Sequence, residues 1–184
     1  MGCGTHREPG WLNADSNPQA EIPLVLREGE PLPFVDSSVD VVFSEHFLEH
    51  LSFDEGRHFL RESQRILRPG GLFRVSCPDL DWIAGLLRSG SEDWRALAHV
   101  YESIGDVAEG EIDGPEGAIN WAFYGHDHKH LWNLRQLERE LSACGFGVVR
   151  RMGFGQSVLA GAAIERRRGE AFYSLIAEAE KPPA

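Results

Sequence analysis

The stretch that decides the fold begins Leu32-Pro33-Phe34-Val35-Asp36-Ser37-Ser38-Val39-Asp40-Val41-Val42-Phe43-Ser44-Glu45-His46. Its apolar centre, Val41 to Phe43, is short, β-branched and aromatic and lies between polar residues, which predicts a buried strand. Ser52-Phe53-Asp54-Glu55 then has the pattern of a capping box, in which the serine caps a helix and the glutamate bonds back to it. The apolar residues that follow recur at helical spacing, and they are Phe59, Leu60, Ile66 and Leu67.

A second strand follows this helix. Pro69-Gly70-Gly71 predicts the end of the helix, and Leu72 to Ser76 predicts the strand. The order strand, crossover helix, strand indicates a parallel sheet, and ligands bind beyond the carboxyl ends of the strands in such sheets. Ser44-Glu45-His46 and Cys77-Pro78-Asp79 follow the two strands, so they are candidate site residues.

Composition narrows the class of protein. The 184 residues are 42% hydrophobic and 26% charged, which is typical of one soluble globular domain, and we expect a single domain over 1–184. The net charge of −11 argues against binding to nucleic acid. Three cysteines without paired spacing favour a reducing compartment, and no apolar run is long enough to cross a membrane. These features together predict a cytoplasmic protein.

The amino terminus carries a second group of candidates. Gly2 and Gly4 flank Cys3, as glycines do where the backbone must approach a ligand closely, although a flexible terminus explains them equally well. Asp15 follows Gly4 after 11 residues, too few for the helix that a dinucleotide pyrophosphate requires. A ligand that has a ribose but no phosphate remains compatible.

The second half of the chain predicts further helices and a closing pair of strands. Asp79 and Ser91 are candidate caps for two helices, and Asn133 with Gln136 predicts the cap of a third. Gly105 to Gly117 is rich in glycine and acids, which favours a mobile loop, and we expect a lid insertion around 91–130. Three further segments are predicted to be strands: Ala20 to Arg27, Phe146 to Arg151 and Phe172 to Ala179.

Histidines are the candidates for acid–base or metal chemistry. His46 follows a strand end directly and has a pKa suited to neutral pH, so it is the first candidate base, with packing against the next helix as the alternative. His126, His128 and His130 alternate in the chain. On a strand they would share a face and could bind zinc, but the helix cap that follows favours His126 or His128 as substrate-facing residues. We therefore predict no metal site from the sequence.

The ordered motifs resemble the class I S-adenosylmethionine-dependent methyltransferases, in particular the branch of predicted small-molecule enzymes with a type 11-like domain. The matching pieces are Gly2-Cys3-Gly4, Gly10 to Asp15, Leu32 to Asp40, Glu45 to Leu51 and Leu67 to Gly71. The resemblance implies an α/β, Rossmann-like fold with a mostly parallel twisted sheet, helices on both faces and an antiparallel carboxyl-terminal strand. Three parallel strands would end in one cleft rimmed by Gly4, Asp15 and Ser44.

The resemblance also implies the cofactor and its contacts. S-Adenosyl-L-methionine would lie on Gly2, Cys3 and Gly4, with its ribose at Asp15. Pro33 and Phe34 would lie beside adenine, and Ser44 and Glu45 would lie near the methionine portion and the acceptor. The expected function is methyl transfer to a small-molecule or glycan-like acceptor.

One departure from the family leaves alternatives open. Only Met1 precedes Gly2, where the family has its first, central strand. The alternatives are a chain shortened at its start, a strand supplied by another chain, as in a homodimer, or a non-catalytic relative that binds or scaffolds. We expect weak or absent cofactor binding on this ground. A metal-dependent hydrolase that uses His126, His128 and His130 is the remaining alternative.

Overall fold

The computed structural model describes residues 1–3, 7–15, 24–25, 29–89, 92–105 and 107–183. The strands among them are β1 (Ala14–Asp15), β2 (Leu24–Val25), β3 (Val39–Glu45), β4 (Leu67–Pro78), β5 (Val149–Arg151) and β6 (Ser174–Glu180). The α-helices are α1 (Phe53–Ile66), α2 (Leu80–Ser89), α3 (Asp93–Ser103), α4 (Gly114–Tyr124) and α5 (Leu134–Ala143). Single 3-10 turns cover Leu48–His50, Gly125–Asp127 and Arg168–Glu170.

The predicted strand–helix–strand unit is confirmed as β3–α1–β4. The Ser52 side chain accepts a hydrogen bond from the Glu55 N–H, and Glu55 Oε2 accepts from the Ser52 N–H at 2.8 Å, which completes the capping box. The buried face of α1 includes Phe59, Leu60 and Ile66, as the helical spacing predicts. β3 and β4 pair in parallel, so their carboxyl ends meet at one edge of the sheet.

The start of β4 differs from the prediction. The chain turns to an extended conformation at Leu67 (φ −65°, ψ 136°) and pairs with Val39, so the strand runs through Pro69-Gly70-Gly71 instead of beginning at Leu72. A register shift between Val39 and Val41 accommodates these residues. A Cβ at Gly71 would lie 2.8 Å from the Arg68 carbonyl oxygen, so glycine allows the close approach here.

The main sheet is mixed, in the order β3-β4-β6-β5, with β6 antiparallel to both of its neighbours. This confirms the α/β fold with an antiparallel carboxyl-terminal strand. β5 is shorter than the predicted strand from Phe146, because the Phe146 N–H donates to the Leu141 carbonyl and closes α5. β6 begins at Ser174 instead of Phe172 and ends one residue later than predicted.

Successive side chains of β4 point to opposite faces of the sheet, and the two faces differ in polarity. Phe73, Val75 and Cys77 belong to a hydrophobic core shared with α1 and α5. Arg74 and Ser76, which point to the other face, are buried although they are polar. That polar face carries the contacts that hold the chain near residue 165, described below.

Helices α2, α3 and α4 surround a second hydrophobic core, built on Ile83, Leu97, Tyr101 and Ala118 among others.

The predicted helix caps are confirmed where the structure describes them. Asp79 Oδ1 accepts from the Asp81 N–H at 3.0 Å, as predicted for the start of α2. Asn133 caps α5 as predicted, and its Oδ1 accepts from the Gln136 N–H at 2.9 Å. The predicted cap at Ser91 lies outside the described residues. The predicted loop over Gly105 to Gly117 is interrupted at Gly114, where α4 begins with proline in its first turn.

The segment with Asp15 forms a sheet of its own. β1 pairs in parallel with β2, and no strand pairing joins this pair to β3 among the described residues. Residues 1–3 connect the two sheets, because the Met1 amine donates to the Phe43 carbonyl at 2.8 Å and the Cys3 N–H donates to the Ala14 carbonyl at 3.3 Å. The rest of the predicted strand over Ala20 to Arg27 lies outside the described residues.

Candidate functional site

Several predicted cofactor residues meet at the carboxyl end of β3. Gly2, Cys3 and Glu45 line one small cavity of about 30 Å³, together with Ile164 and Arg166 from the other end of the chain. Gly2 has φ +71°, and a Cβ there would lie 2.6 Å from Phe47 Cβ and 3.0 Å from the Glu45 carbonyl oxygen. The glycine therefore allows residues 1–3 to lie directly against the end of β3.

The Glu45 side chain binds the chain around Arg166, which covers this cavity. The carboxylate is buried, and its Oε1 accepts from the Arg166 N–H at 3.0 Å and from the Arg167 N–H at 3.4 Å. The Arg166 guanidinium adds an ion pair of 3.7 Å to Oε2. Nothing in the local sequence around Arg166 predicts this contact, which links residues 121 positions apart.

A buried network on the polar face of the sheet anchors the same segment. Arg74 on β4 pairs with Glu165 and, at 2.6 Å, with Glu178 on β6. Glu178 Oε2 also accepts from the Val158 N–H at 2.9 Å. Residues 157–167, which we term the cover segment, are thereby fixed at both ends.

Of the other predicted cofactor residues that the structure describes, none lines this cavity. Phe34 lines a larger groove of about 360 Å³ along β3, and that groove shares Met1, Trp11, Leu12 and Phe43 with the small cavity. Pro33 is exposed next to it.

Asp15 is half-buried at the end of β1, and Ser44 is fully buried within β3. Gly4 lies outside the described residues.

His46 is buried between two carboxylates. Its Nδ1 lies 3.2 Å from Glu49 Oε1 and 3.3 Å from Glu170 Oε2, and its Nε2 lies 3.2 Å from Ser174 Oγ. Burial acts to lower the pKa of His46, but the hydrogen bond to Glu49 and the charges of both carboxylates outweigh it, so the pKa is raised above its usual value. Both ring nitrogens are therefore engaged within the protein.

The alternating histidines separate into two environments. The His126 and His128 rings lie near His50, with centroid distances of 5.5 and 5.0 Å. His130 instead contacts Trp132 at 4.7 Å and hydrogen-bonds Gln136 at 3.1 Å. The three histidines therefore do not share one face of a strand, as their spacing alone would allow, because the chain turns at Gly125–Asp127 before His128. Nothing in the spacing of the sequence predicts that the His50 ring joins His126 and His128.

His126 also opens to the surface. It lines a cavity of about 620 Å³ with Trp121, Tyr124 and Asn120 from α4. Among the neighbouring aromatic residues of α4, Trp121 and Tyr124 line this cavity, whereas Phe123 does not.

No helix in the described part of the chain is both long enough and apolar enough to cross a membrane.

The comparisons with known proteins point to one family. Residues 2–75 match the model of the methyltransferase domain. A protein of Mycolicibacterium smegmatis named "probable S-adenosylmethionine-dependent methyltransferase" is 50% identical over 64 residues, which are 33% of this chain and 24% of that protein. The chain therefore spans about a quarter of the length of this relative.

Solved structures give the same fold. A crystal structure of a S-adenosylmethionine-dependent methyltransferase from Methanosarcina mazei superposes with a TM-score of 0.53 at 17% identity, over 93% of this chain and 81% of that one. The methyltransferase domain of the citrinin polyketide synthase superposes with a TM-score of 0.50 at 12% identity, over 93% of this chain and 38% of that one. Residues 2–75 thus match the methyltransferase domain family, and the chain has a Rossmann-like fold similar to that of the S-adenosylmethionine-dependent methyltransferases.

Proposed function

We propose that the protein is a S-adenosylmethionine-dependent methyltransferase that acts on a small-molecule or glycan-like acceptor. The observation that carries the proposal is the meeting of Gly2, Cys3 and Glu45 in one cavity at the carboxyl end of a parallel strand, within the segment that matches the family. Ligands bind at this edge in open α/β sheets. The single-domain organisation and the cytoplasmic location stay predictions from the sequence.

We infer the cofactor contacts from the family resemblance. Main-chain groups of Gly2 and Cys3 would hold the amino-acid end, with Gly4 as predicted from the sequence, and the Asp15 carboxylate would accept hydrogen bonds from the ribose hydroxyls. Phe34 and Pro33 would contact the adenine face from the adjoining groove, while Ser44 and Glu45 would bound the methionine portion. When bound, S-adenosylmethionine supplies a methyl group on a positively charged sulfur. The task of these residues is then to hold donor and acceptor in line, an effect of up to about 7–11 kcal/mol in favourable cases.

The acceptor would enter from the side of His126. The open cavity beside it has aromatic and amide side chains from α4, which suit a polar acceptor with flat or apolar faces. A base is needed only when the acceptor must lose a proton. His126 is the candidate that faces an open cavity, whereas His46 is held between Glu49 and Glu170 and would position its surroundings. His128 would act as a base only through Nε2, because its Nδ1 lies 2.7 Å from the Ala122 carbonyl oxygen.

The cover segment favours a second candidate, a methyltransferase-fold protein that binds or scaffolds without catalysis. The cavity of about 30 Å³ beneath Ile164 and Arg166 is far smaller than the roughly 300–1,000 Å³ of typical small-molecule sites. Cofactor binding at this place therefore requires the cover segment to move. The non-catalytic candidate requires no such movement.

Calorimetric titration with S-adenosylhomocysteine separates the two candidates. The catalytic candidate requires saturable binding of one molecule per chain, even if that binding is weak as expected from the sequence. The affinity should fall at least about tenfold in Asp15→Asn, since a hydrogen-bonded carboxylate is worth about 1.5–3 kcal/mol. Asp54→Asn, an exposed carboxylate in the first turn of α1, is the matched control and should bind normally. Absence of saturable binding in the unaltered protein would favour the non-catalytic candidate, and equal losses in the two variants would contradict the site.

A further inference from the structure

Beside the proposed cofactor site lies a cluster with a different chemistry. Glu49, His50 and His128 each offer one ligand atom, and these atoms all lie within 4.8 Å of one another. Glu49 is fully buried, and its Oε2 has no hydrogen-bond partner among the described residues. A buried carboxylate oxygen without a partner is costly, which indicates that a further group belongs beside it.

The fold brings the two halves of the cluster together through the main chain. Glu49 and His50 belong to the 3-10 turn Leu48–His50, directly after β3. His128 comes about 80 positions later, after the turn that ends α4. The Glu49 carbonyl accepts from the Lys129 N–H at 2.8 Å and from the His130 N–H at 3.1 Å, so the two segments are joined at the cluster itself.

Hydrogen bonds outside the cluster orient two of its members. His128 Nδ1 lies 2.7 Å from the Ala122 carbonyl oxygen, which only accepts, so Nδ1 carries the proton and Nε2 keeps its lone pair. His46 Nδ1 lies 3.2 Å from Glu49 Oε1, and this ion pair orients the Glu49 carboxylate. Metal-binding histidines and carboxylates are characteristically held by outer hydrogen bonds of this kind.

The cluster is accessible from outside. His50 and His128 are half-buried, in contrast to Glu49. The His126 ring lies 5.5 Å from the His50 ring and 6.0 Å from the His128 ring, and the same residue lines the open cavity of about 620 Å³. An ion could thus reach the cluster from this cavity, and His126 or a water molecule could complete its coordination.

We propose that Glu49, His50 and His128 form a binding site for a divalent transition-metal ion, with Zn²⁺ as the expected ion. Two histidines and one carboxylate, with a further position open, are a known ligand set for zinc. Bonds of about 2.0–2.1 Å to a tetrahedral ion place the ligand atoms about 3.3 Å apart. The ligand atoms, which now lie within 4.8 Å of one another, would therefore draw together when the ion binds. The site does not depend on methyl transfer.

The test is a zinc titration of protein that has been stripped of metal with a chelator. We expect one Zn²⁺ bound per chain by calorimetry, with affinity reduced at least about tenfold in His128→Gln and in Glu49→Gln. His130→Gln is the matched control, because His130 lies in the same segment but bonds to Gln136. Circular dichroism on each variant checks that it has folded.

A measurement on the unaltered protein keeps the proposal testable if a variant does not fold. In a ¹⁵N spectrum of the histidine rings, Zn²⁺ should shift the resonances of His50 and His128 and leave those of the exposed His99 unchanged. Absence of saturable zinc binding in the unaltered protein would overturn the proposal. An equal loss in His130→Gln and His128→Gln would overturn it as well.

Discussion

The main-chain N–H of Arg166 donates to the Glu45 carboxylate at 3.0 Å, across 121 positions of sequence. This bond closes the carboxyl end of β3 over Gly2 and Cys3, where the family resemblance places the methyl donor. Access to the proposed cofactor site therefore depends on the cover segment as well as on the residues that would bind the cofactor.

Replacement of Arg166 should test this dependence. Arg166→Pro removes the N–H that Glu45 accepts, and we expect S-adenosylhomocysteine to associate several-fold faster, as measured by stopped-flow fluorescence of the five tryptophans. Arg166→Ala is the control, because it removes the guanidinium but keeps the main-chain N–H that Glu45 accepts. Equal association rates in the two variants would show that this bond does not limit entry.

Two helical glycines should respond in opposite directions to alanine. Where a helix has room for a Cβ, alanine stabilises it by about 0.8–1.0 kcal/mol relative to glycine. Gly85 in α2 has nothing within 4 Å of a Cβ, so Gly85→Ala should raise the free energy of unfolding by about 1 kcal/mol. A Cβ at Gly56 would lie 2.9 Å from the ring of the fully buried Trp132. Overpacking of about 1–3 kcal/mol then outweighs the helix preference, and Gly56→Ala should be destabilising. Urea unfolding of both variants measures the two effects, and a stabilised Gly56→Ala would contradict the packing around Trp132.

Two of the helix caps that the sequence predicted, Ser52 and Asn133, should be measurably stabilising. Ser52→Ala and Asn133→Ala each remove a side-chain acceptor at a helix start and should cost about 0.5–2 kcal/mol in unfolding free energy. Asp113 stands at the corresponding position of α4 but makes no capping hydrogen bond, so Asp113→Ala should cost clearly less. Thermal unfolding compares the three, and a loss in Asp113→Ala as large as in Ser52→Ala would be inconsistent with these bonds.

The Arg65–Glu62 pair should give stability that depends on pH. The hydrogen bond from Arg65 lowers the pKa of the Glu62 carboxyl below its usual value. The folded chain then binds fewer protons than the unfolded one near the usual value of about 4.3. The stabilisation is fully present above that pH and is lost as the pH falls through the lower, folded value.

Glu62→Gln provides the measurement. The difference in unfolding free energy between the unaltered protein and this variant should be largest near pH 7 and should shrink as the pH falls below about 4. Because Glu62 also accepts from the Leu32 N–H and Arg65 donates to the Leu32 and Phe34 carbonyls, the loop that carries Phe34 should loosen over the same range. A difference that does not change with pH would rule out the charge on Glu62 as its source.

Local chemistry is what the sequence predicted well. The box at Ser52 and Glu55, the apolar core of β3 and the cap at Asn133 depend on residues within four positions of one another, and all three are confirmed. The end of α1 was misplaced because pairing between Leu67 and Val39 draws Pro69 to Gly71 into the strand. Proline and glycine indicate a helix end locally, but sheet pairing decides which structure follows.

The candidate site was harder to predict, since its contacts join distant parts of the chain. Glu49 and His50 meet His128 through the turn after α4, and no spacing in the sequence reports that meeting. The Glu45–Arg166 contact is equally non-local, and its donors are main-chain groups that any residue but proline provides. The family resemblance identified the strand ends and the glycines, but it carried no information on what covers them.

The separation of β1–β2 from the main sheet has a consequence for local stability. Among the described residues this pair has no strand partner in the main sheet, and a two-stranded pair is marginal by itself. Cys3 and the buried Ala14 tie the pair to the rest of the fold. Amide hydrogens around Asp15 should consequently exchange with solvent through small local openings, while those of β4 exchange only when the whole domain unfolds. The segment that would bind the ribose, β1 with Asp15, is thus held in place by its contacts with neighbouring segments. A bound nucleoside should slow local opening in this segment before it affects the rest of the domain.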